Sequence, residues 1–213
     1  MYSDNYSIFP PKEICDPWVE WLEPYDFTHL VTIAFCPSED FSVYCDDPTA
    51  HQRVPRQTEI AKEYLRRVGH RVFKRGRLKG HRLCYAGFPE LQTRHGDPTH
   101  FHFHILVWVP ADYETKFDKY IESEWRKALS REPGLRRGGT SLDVRPITDL
   151  GGAIRYVTKF AHTELPIIAD LPDGAIVCGH RDWTNCNIRS PAAKPRKAIP
   201  SRVSEAIVWI QQN

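Results

Sequence analysis

The clearest periodic pattern of the chain is the run THFHFHILVWVP at residues 99–110. Large apolar side chains alternate in it with His100, His102 and His104, and a period of two residues is that of a β-strand. Such a strand carries the three imidazoles on one face and part of the hydrophobic core on the other. Two neighbouring imidazoles and an oxygen ligand from the next strand could hold a divalent metal. The alternative is a half-exposed strand whose histidines are ordinary polar side chains.

Three further stretches rich in β-branched and aromatic residues predict strands, at 28–35, 81–92 and 142–147. The last of them contains Pro146, which cannot donate a hydrogen bond to a central strand, so we expect an edge strand there. Strand 81–92 comes directly before the histidine strand, and we expect the two to pair as a hairpin.

The hairpin decides which oxygen ligand lies near the imidazoles. Gly87 and Pro89 indicate an irregularity in its first strand, such as a bulge. Glu90 and Gln92 follow in the same strand and have the same parity. The pattern therefore leaves open which of them approaches the histidines.

The helical period of 3.6 residues recurs in three stretches, at 56–75, 113–129 and 149–164. We expect Pro55 in the first turn of the first helix, and Gly69 leaves a break open in it. Asp112 and Asp149 are expected to cap the second and third helices. These elements predict an α+β fold, in which helices pack on one face of a central antiparallel sheet of about five strands.

The 213 residues are enough to bury a sizeable core. Six scattered cysteines with no CxxC pair favour free thiols in a reducing compartment, and Cys178, His180 and Cys186 leave a weak zinc alternative. No basic segment precedes an apolar run at the N-terminus, and no stretch approaches 18 apolar residues. We therefore expect a cytoplasmic protein with no membrane partner.

Basic residues are concentrated in one region, although the formal net charge is only +2. Residues 62–82 contain nine lysines and arginines and the single acidic residue Glu63. Such a run repels itself unless an anion neutralises it, and nucleic-acid phosphate is the expected anion, with a solvated helix face as the alternative. The candidate DNA-binding residues are Arg66, Arg67, Arg71, Lys74, Arg75, Arg77 and Lys79.

A second stretch that could carry chemistry is YVTK at residues 156–159, within the last predicted helix. Tyr156 and Lys159 lie one turn apart, so both side chains could address one phosphate. The phenol oxygen would attack it, and the ammonium would supply counter-charge. This motif alone is weak, because chance matches are common in helices.

The motifs and their order resemble those of the HUH endonuclease superfamily, specifically its rolling-circle replication initiators, the Rep proteins. The resemblance is carried by TIAF at 32–35, ELQ at 90–92, HFH at 102–104 followed by ILVW, and YVTK at 156–159. It covers roughly residues 27–165 and implies a ferredoxin/RRM-like nuclease fold. Residues 1–26 would then be an N-terminal arm, irregular apart from a short helix around 18–22. Residues 166–213 would be an extension with a terminal helix, which could pack on the same domain or mediate self-association.

The resemblance also implies roles for individual residues. His102 and His104 correspond to the paired ligands of Mn²⁺ or Mg²⁺, and Glu90 corresponds to the third ligand. Tyr156 corresponds to the nucleophile that attacks a DNA phosphodiester, and Lys159 to its phosphate partner.

The chain departs from the family pattern at two points. The spacing from Glu90 to His102 is longer than in the usual hairpin, which keeps Gln92 as an alternative third ligand. The additional His100 could bind DNA, support a metal ligand, or shift the histidine pair by two residues.

The implied function is metal-dependent nicking and strand transfer on single-stranded or hairpin origin DNA, through a 5′ phosphotyrosine, to initiate rolling-circle replication of a plasmid or virus. No glycine-rich Walker motif is present, so unwinding would need a host helicase and the replication machinery. A single-tyrosine transposase is an alternative. A relaxase is another, with Tyr2 or Tyr6 as the nucleophile. From a different class, a non-catalytic module that binds origin DNA or RNA would have structural histidines.

Overall fold

The computed structural model of the chain describes residues 12–35, 50–92, 98–131, 142–159, 161 and 167–171. For residues 12–15, 50–53, 92 and 98–100 it describes the backbone alone. The helices are α1 (Lys12–Leu22), α2 (Ala50–Val72), α3 (Glu114–Leu129) and α4 (Leu150–Thr158). The strands are β1 (His29–Ala34), β2 (Cys84–Gln92), β3 (Pro98–Trp108), β4 (Leu142–Pro146) and β5 (Ile168–Asp170).

The five strands form one antiparallel sheet in the order β4-β1-β3-β2-β5. The predicted α+β fold with a central antiparallel sheet is therefore confirmed. The histidine strand β3 is the middle strand and pairs with β2 as the predicted hairpin. The strand with Pro146 lies at an edge, as its sequence predicts.

Helices cover both faces of the sheet. On one face, α2 and α3 pack over a core that includes Phe103 and Ile105 of β3. On the other face, α1 and α4 pack over a second core that includes Leu106. The prediction of helices on one face is wrong, because the run ILVW at 105–108 supplies apolar side chains to both faces.

The segment predicted as an irregular arm contains α1, which starts at Lys12 rather than near residue 18. Trp18 and Trp21 are buried there against the second core, and Trp18 meets the ring of Phe88 edge-on at 5.4 Å. Large aromatic side chains contribute strongly to burial, so α1 is part of the folded core.

The chain beyond residue 165 returns to the sheet, because β5 pairs with β2. The terminal helix expected at 201–212, and the zinc alternative at Cys178, His180 and Cys186, lie outside the described residues.

Helix α2 starts earlier than predicted and continues through Gly69 without a break. Pro55 lies inside it rather than in its first turn. A Cβ atom at position 69 would lie only 2.9 Å from the backbone nitrogen of Leu83. Glycine there is therefore explained by the close approach of two backbone segments. Among the described residues, no helix combines the length and apolarity needed to span a membrane.

Two local predictions are wrong. Asp112 does not cap α3, because a single 3₁₀ turn over Ala111–Tyr113 comes before the helix and its N-cap is Tyr113. The irregularity of β2 falls between Glu90 and Gln92 rather than at Gly87 and Pro89, which keep regular pairing with β3.

Candidate metal centre and tyrosine

Strand register brings Glu90 to the histidines. Glu90 lies directly opposite His102 in the β2–β3 hairpin, and His104 lies opposite Phe88, two positions along. Side chains on neighbouring strands that share a face lie close together, so the carboxylate of Glu90 stands beside both imidazoles. The face is the one covered by α1 and α4.

The three side chains form a compact group. Glu90 Oε2 lies 3.5 Å from His102 Nε2 and 3.0 Å from His104 Nε2. The imidazole rings lie 4.9 Å apart and nearly perpendicular to each other. Glu90 and His104 are buried, and the side chain of His102 is 14% exposed. The group therefore opens to solvent on the side of His102.

Thr32 of β1 orients His104 from the opposite side. Its Oγ1 lies 2.9 Å from His104 Nδ1, and the two residues are paired across β1 and β3. An imidazole that donates Nδ1–H to a hydroxyl leaves Nε2 as an acceptor, the form that binds a metal. Thr32 shares its face of β1 with Leu30 and Ala34, and the sequence alone does not show which residue of β3 it meets.

Helix α4 brings Tyr156 to the same group. The Tyr156 hydroxyl lies 3.3 Å from His104 Nε2, and the two rings are 4.9 Å apart. Tyr156 is 43% exposed, the one large hydrophobic residue with an exposed side chain in the described part of the chain. Its hydroxyl thus faces a buried imidazole while its ring is open to solvent.

Two contacts hold α4 in place. Asp149 accepts a hydrogen bond from the Gly152 amide at 3.0 Å, so the predicted cap is confirmed. Arg155 bonds Asp16 of α1 at 3.0 Å, which ties α4 to α1 next to Tyr156. No sequence pattern indicates this second contact, because 139 residues separate its partners.

Lys159 points into the site rather than away from it. Its side chain is 6% exposed, and Nζ lies 3.0 Å from Glu90 Oε2. The same ammonium stands 4.0 Å from the centre of the Tyr156 ring. Lys159 thus links the carboxylate and the phenol, one helical turn from Tyr156.

The charges of the site are set by burial and by these contacts. Burial would raise the pKa of Glu90, but His102, His104 and Lys159 together outweigh it and hold that pKa well below its ordinary value. Burial lowers the pKa of His104, and Glu90 only partly opposes this effect. At neutral pH Glu90 is ionised and His104 is neutral, the protonation states that metal ligands require.

The group of Glu90, His102 and His104 could hold a metal ion, since its ligand atoms all lie within 4.8 Å of one another. Glu90 Oε2 is buried. Nitrogens of His104 and Lys159 lie at ion-pair distance from it, but no donor among the described residues is aligned with it for a hydrogen bond. Its separations of 3.0 and 3.5 Å from the two imidazoles are close to those of adjacent ligands that lie about 2.1 Å from one ion. A metal and the Lys159 ammonium would share this oxygen.

The side chains of Gln92 and His100 lie outside the described residues, as do Tyr2 and Tyr6. The bulge after Glu90 shifts the register, so that the backbone of Gln92 pairs with Pro98 rather than with the histidines.

The basic residues of α2 lie away from the metal group. Helix α2 packs on the opposite face of the sheet from Glu90 and the histidines. Arg66 and Arg67 pair with Glu63, Arg71 approaches Glu124, and Arg77 approaches Asp112 across 3.6 Å. Lys74, Arg75 and Lys79 are exposed in the turns that follow the end of α2. The structure therefore separates the basic surface from the metal group and Tyr156.

Comparisons of the chain with protein-family models, with curated proteins and with solved structures found no match. The function is therefore inferred from the geometry of the site and from the order of the sequence motifs.

Proposed function

We propose that this chain is an HUH-type nickase, which cuts single-stranded DNA in a metal-dependent reaction and keeps the 5′ end on Tyr156. In this proposal Glu90, His102 and His104 hold Mn²⁺ or Mg²⁺. The product is a 5′ phosphotyrosine with a free 3′ hydroxyl on the other strand end, and the biological role is to initiate rolling-circle replication of a plasmid or virus.

One observation carries the proposal: the Tyr156 hydroxyl lies 3.3 Å from Nε2 of His104, a nitrogen of the metal-binding group. The tyrosine comes from a helix 52 residues further along the chain. A nucleophile and three metal ligands from separate elements thus converge on one point. A structural cluster of histidines would not need an exposed phenol beside it.

The chemistry is a transesterification in which the number of phosphodiester bonds is unchanged. The Tyr156 oxygen forms a bond to the phosphorus and gives up its proton, and the bond from phosphorus to the 3′ oxygen breaks. That 3′ oxygen takes up a proton and leaves as a hydroxyl. Because a tyrosyl ester replaces a diester of similar energy, the reverse step can rejoin strands without ATP.

The residues of this chain supply orientation and charge for that step. A divalent ion at the site would provide positive charge at the scissile phosphate. Lys159, which stands 4.0 Å from the Tyr156 ring, stabilises negative charge as it develops on the phenol oxygen. Thr32 holds the His104 imidazole in place through its contact with Nδ1.

The position of Tyr156 favours single-stranded substrate. The tyrosine lies on the surface of a short helix, with its hydroxyl directed toward the sheet. An attack in line with the leaving oxygen is sterically awkward on a base-paired strand, so the substrate would be single-stranded DNA or an extruded hairpin. A host helicase would supply that form during replication.

The test is to incubate the full chain with end-labelled single-stranded and hairpin DNA in the presence of Mn²⁺ or Mg²⁺. We expect a cleaved strand and a covalent protein–DNA product that Tyr156→Phe abolishes. Tyr120→Phe, on α3 and on the other face, is the matched control and should keep full activity.

Two results would contradict the proposal. No cleavage with either metal on any DNA of these forms would favour a non-catalytic binding module. A covalent product that survives Tyr156→Phe but is lost in Tyr2→Phe or Tyr6→Phe would favour a relaxase.

A further inference from the structure

A groove lies between α2 and α3, on the face of the sheet opposite the metal group. It has a volume of about 430 Å³ and is lined by Arg66, Arg67, His70, Arg71, Lys127 and Arg131, together with the buried Glu124. We call it the α2–α3 groove. None of its residues contributes to the site around Tyr156.

Positive charge is in excess along the groove. Glu63 is shared by Arg66 and Arg67, and Glu124 is shared by Arg71 and Lys127. Five arginine and lysine side chains of the groove therefore face two carboxylates. Such a surface attracts polyanions, and arginine in particular matches the geometry of phosphate oxygens.

The cations follow the helix rather than surrounding one point. Arg66 and His70 are four residues apart, and so are Arg67 and Arg71, so they form two rows along the exposed side of α2. Exposed Lys74 extends the first row beyond the end of the helix. From Arg66 to Arg71 the helix rises about 7.5 Å, which is more than the size of one phosphate group and close to the rise over two phosphate intervals along one strand of a duplex.

The lining also indicates which form of nucleic acid fits. Proteins that bind single strands stack bases on aromatic side chains. No Phe, Tyr or Trp lines the groove within the described part of the chain. A groove that has cations but no aromatic side chains for base stacking suits a duplex. In a duplex the bases are paired inside and the phosphates are exposed.

We propose that the α2–α3 groove is a second DNA-binding site, which takes the phosphate backbone of double-stranded DNA on the face opposite the metal group. The sheet and the α2–α3 helix layer separate the two surfaces, so a few nucleotides held at Tyr156 cannot also occupy the groove. Duplex binding would be independent of sequence and would not depend on the chemistry at Tyr156.

The experiment measures binding of a fluorescently labelled blunt duplex to the full chain by anisotropy, over a range of salt concentrations. We compare Arg66→Gln plus Arg131→Gln with the control Lys119→Gln plus Arg126→Gln. The control removes the same charge from exposed positions of α3 that do not line the groove. Substitutions at such exposed positions change stability little, so all variants should fold.

We expect the groove variant to bind the duplex about tenfold more weakly near 0.1 M salt, with a log–log salt slope smaller by about two. The control should bind like the unsubstituted chain. His102→Ala plus His104→Ala should also keep duplex binding, and this result separates the inference from the proposed nicking activity.

Three outcomes would overturn the inference. Equal affinities of the groove variant and the unsubstituted chain would exclude the groove as the duplex site. An equal loss in the control would mean that only net charge matters. Loss of duplex binding in the double histidine variant would place the duplex at the metal group instead.

Discussion

On the α1–α4 face of the sheet, the charged groups around Glu90 are buried, whereas most of the cations on the α2–α3 face are exposed. On the first face, Glu90 and Lys159 are each about 5% exposed and in contact with each other. On the second face, Arg66 has a side chain that is 68% exposed and pairs with a carboxylate that is 41% exposed. The two surfaces thus differ in solvent access.

This difference separates two kinds of electrostatic interaction. Taking charged groups out of water is costly, and buried ones persist only where partners are closely arranged. The group around Glu90 meets that condition with three nitrogens, so its positions are specific. Exposed ion pairs such as those of Glu63 contribute little to stability and are screened by salt. We therefore expect site-specific chemistry on the first face and salt-dependent binding of a polyanion on the second.

The largest expected effect is that of removing two ligands from the first face. His102→Ala plus His104→Ala should abolish Mn²⁺ binding, a loss larger than the roughly 10–100-fold that follows removal of a residue that only orients a ligand. Isothermal titration calorimetry measures the affinity, and a thermal melt checks that the variant is folded. His70→Ala plus His81→Ala, at exposed positions outside the group, should keep the affinity. Unchanged affinity in the first variant would refute the ligand assignment.

A smaller effect is expected when only the orientation of His104 is changed. Thr32→Val removes the contact with Nδ1 and should weaken Mn²⁺ binding about tenfold, at the lower end of what loss of an orienting partner costs. Thr28→Val is the control, since Thr28 also contacts a histidine, His29, at 2.9 Å, and this contact lies outside the site. If both variants bind Mn²⁺ equally well, Thr32 does not position the ligand.

The smallest effect concerns the helix that carries Tyr156. Asp149→Ala removes the cap of α4 and should lower the free energy of unfolding by about 1 kcal/mol in a denaturant titration. Asp149→Asn should be nearly neutral, because asparagine caps about as well. Duplex binding by the α2–α3 groove should not change in either variant. Weaker duplex binding in Asp149→Ala would contradict the independence of the two faces.

Patterns of single elements predicted much of the first face. The alternation in β3 was sufficient to place the histidines on one side, and Asp149 was sufficient to predict the start of α4. The pattern does not decide between Glu90 and Gln92, because the choice depends on a bulge between these two residues rather than at Gly87 and Pro89. Periodicity predicts the face of the sheet on which a side chain lies, but it does not predict the register in which two strands pair.

Other contacts between distant segments could not be predicted from the patterns of single elements. The position of α1 depends on the burial of Trp18 and Trp21 against a face that the sequence left uncovered. The separation of the basic helix from the metal group is of the same kind, since charge density in residues 62–82 predicts an anion but not the face on which it binds. Gly69 suggested a helix break by its intrinsic propensity, whereas tertiary packing against Leu83 requires it.

The proposed role of Tyr156 is tested by identifying the residue that carries DNA after the reaction. The full chain is incubated with single-stranded DNA and Mn²⁺, the covalent product is digested with nuclease and protease, and the modified peptide is sequenced by mass spectrometry. We expect a nucleotide phosphate on Tyr156, whose hydroxyl lies 3.3 Å from His104 Nε2. A nucleotide on any other side chain, or a reaction that leaves no modified peptide, would contradict it.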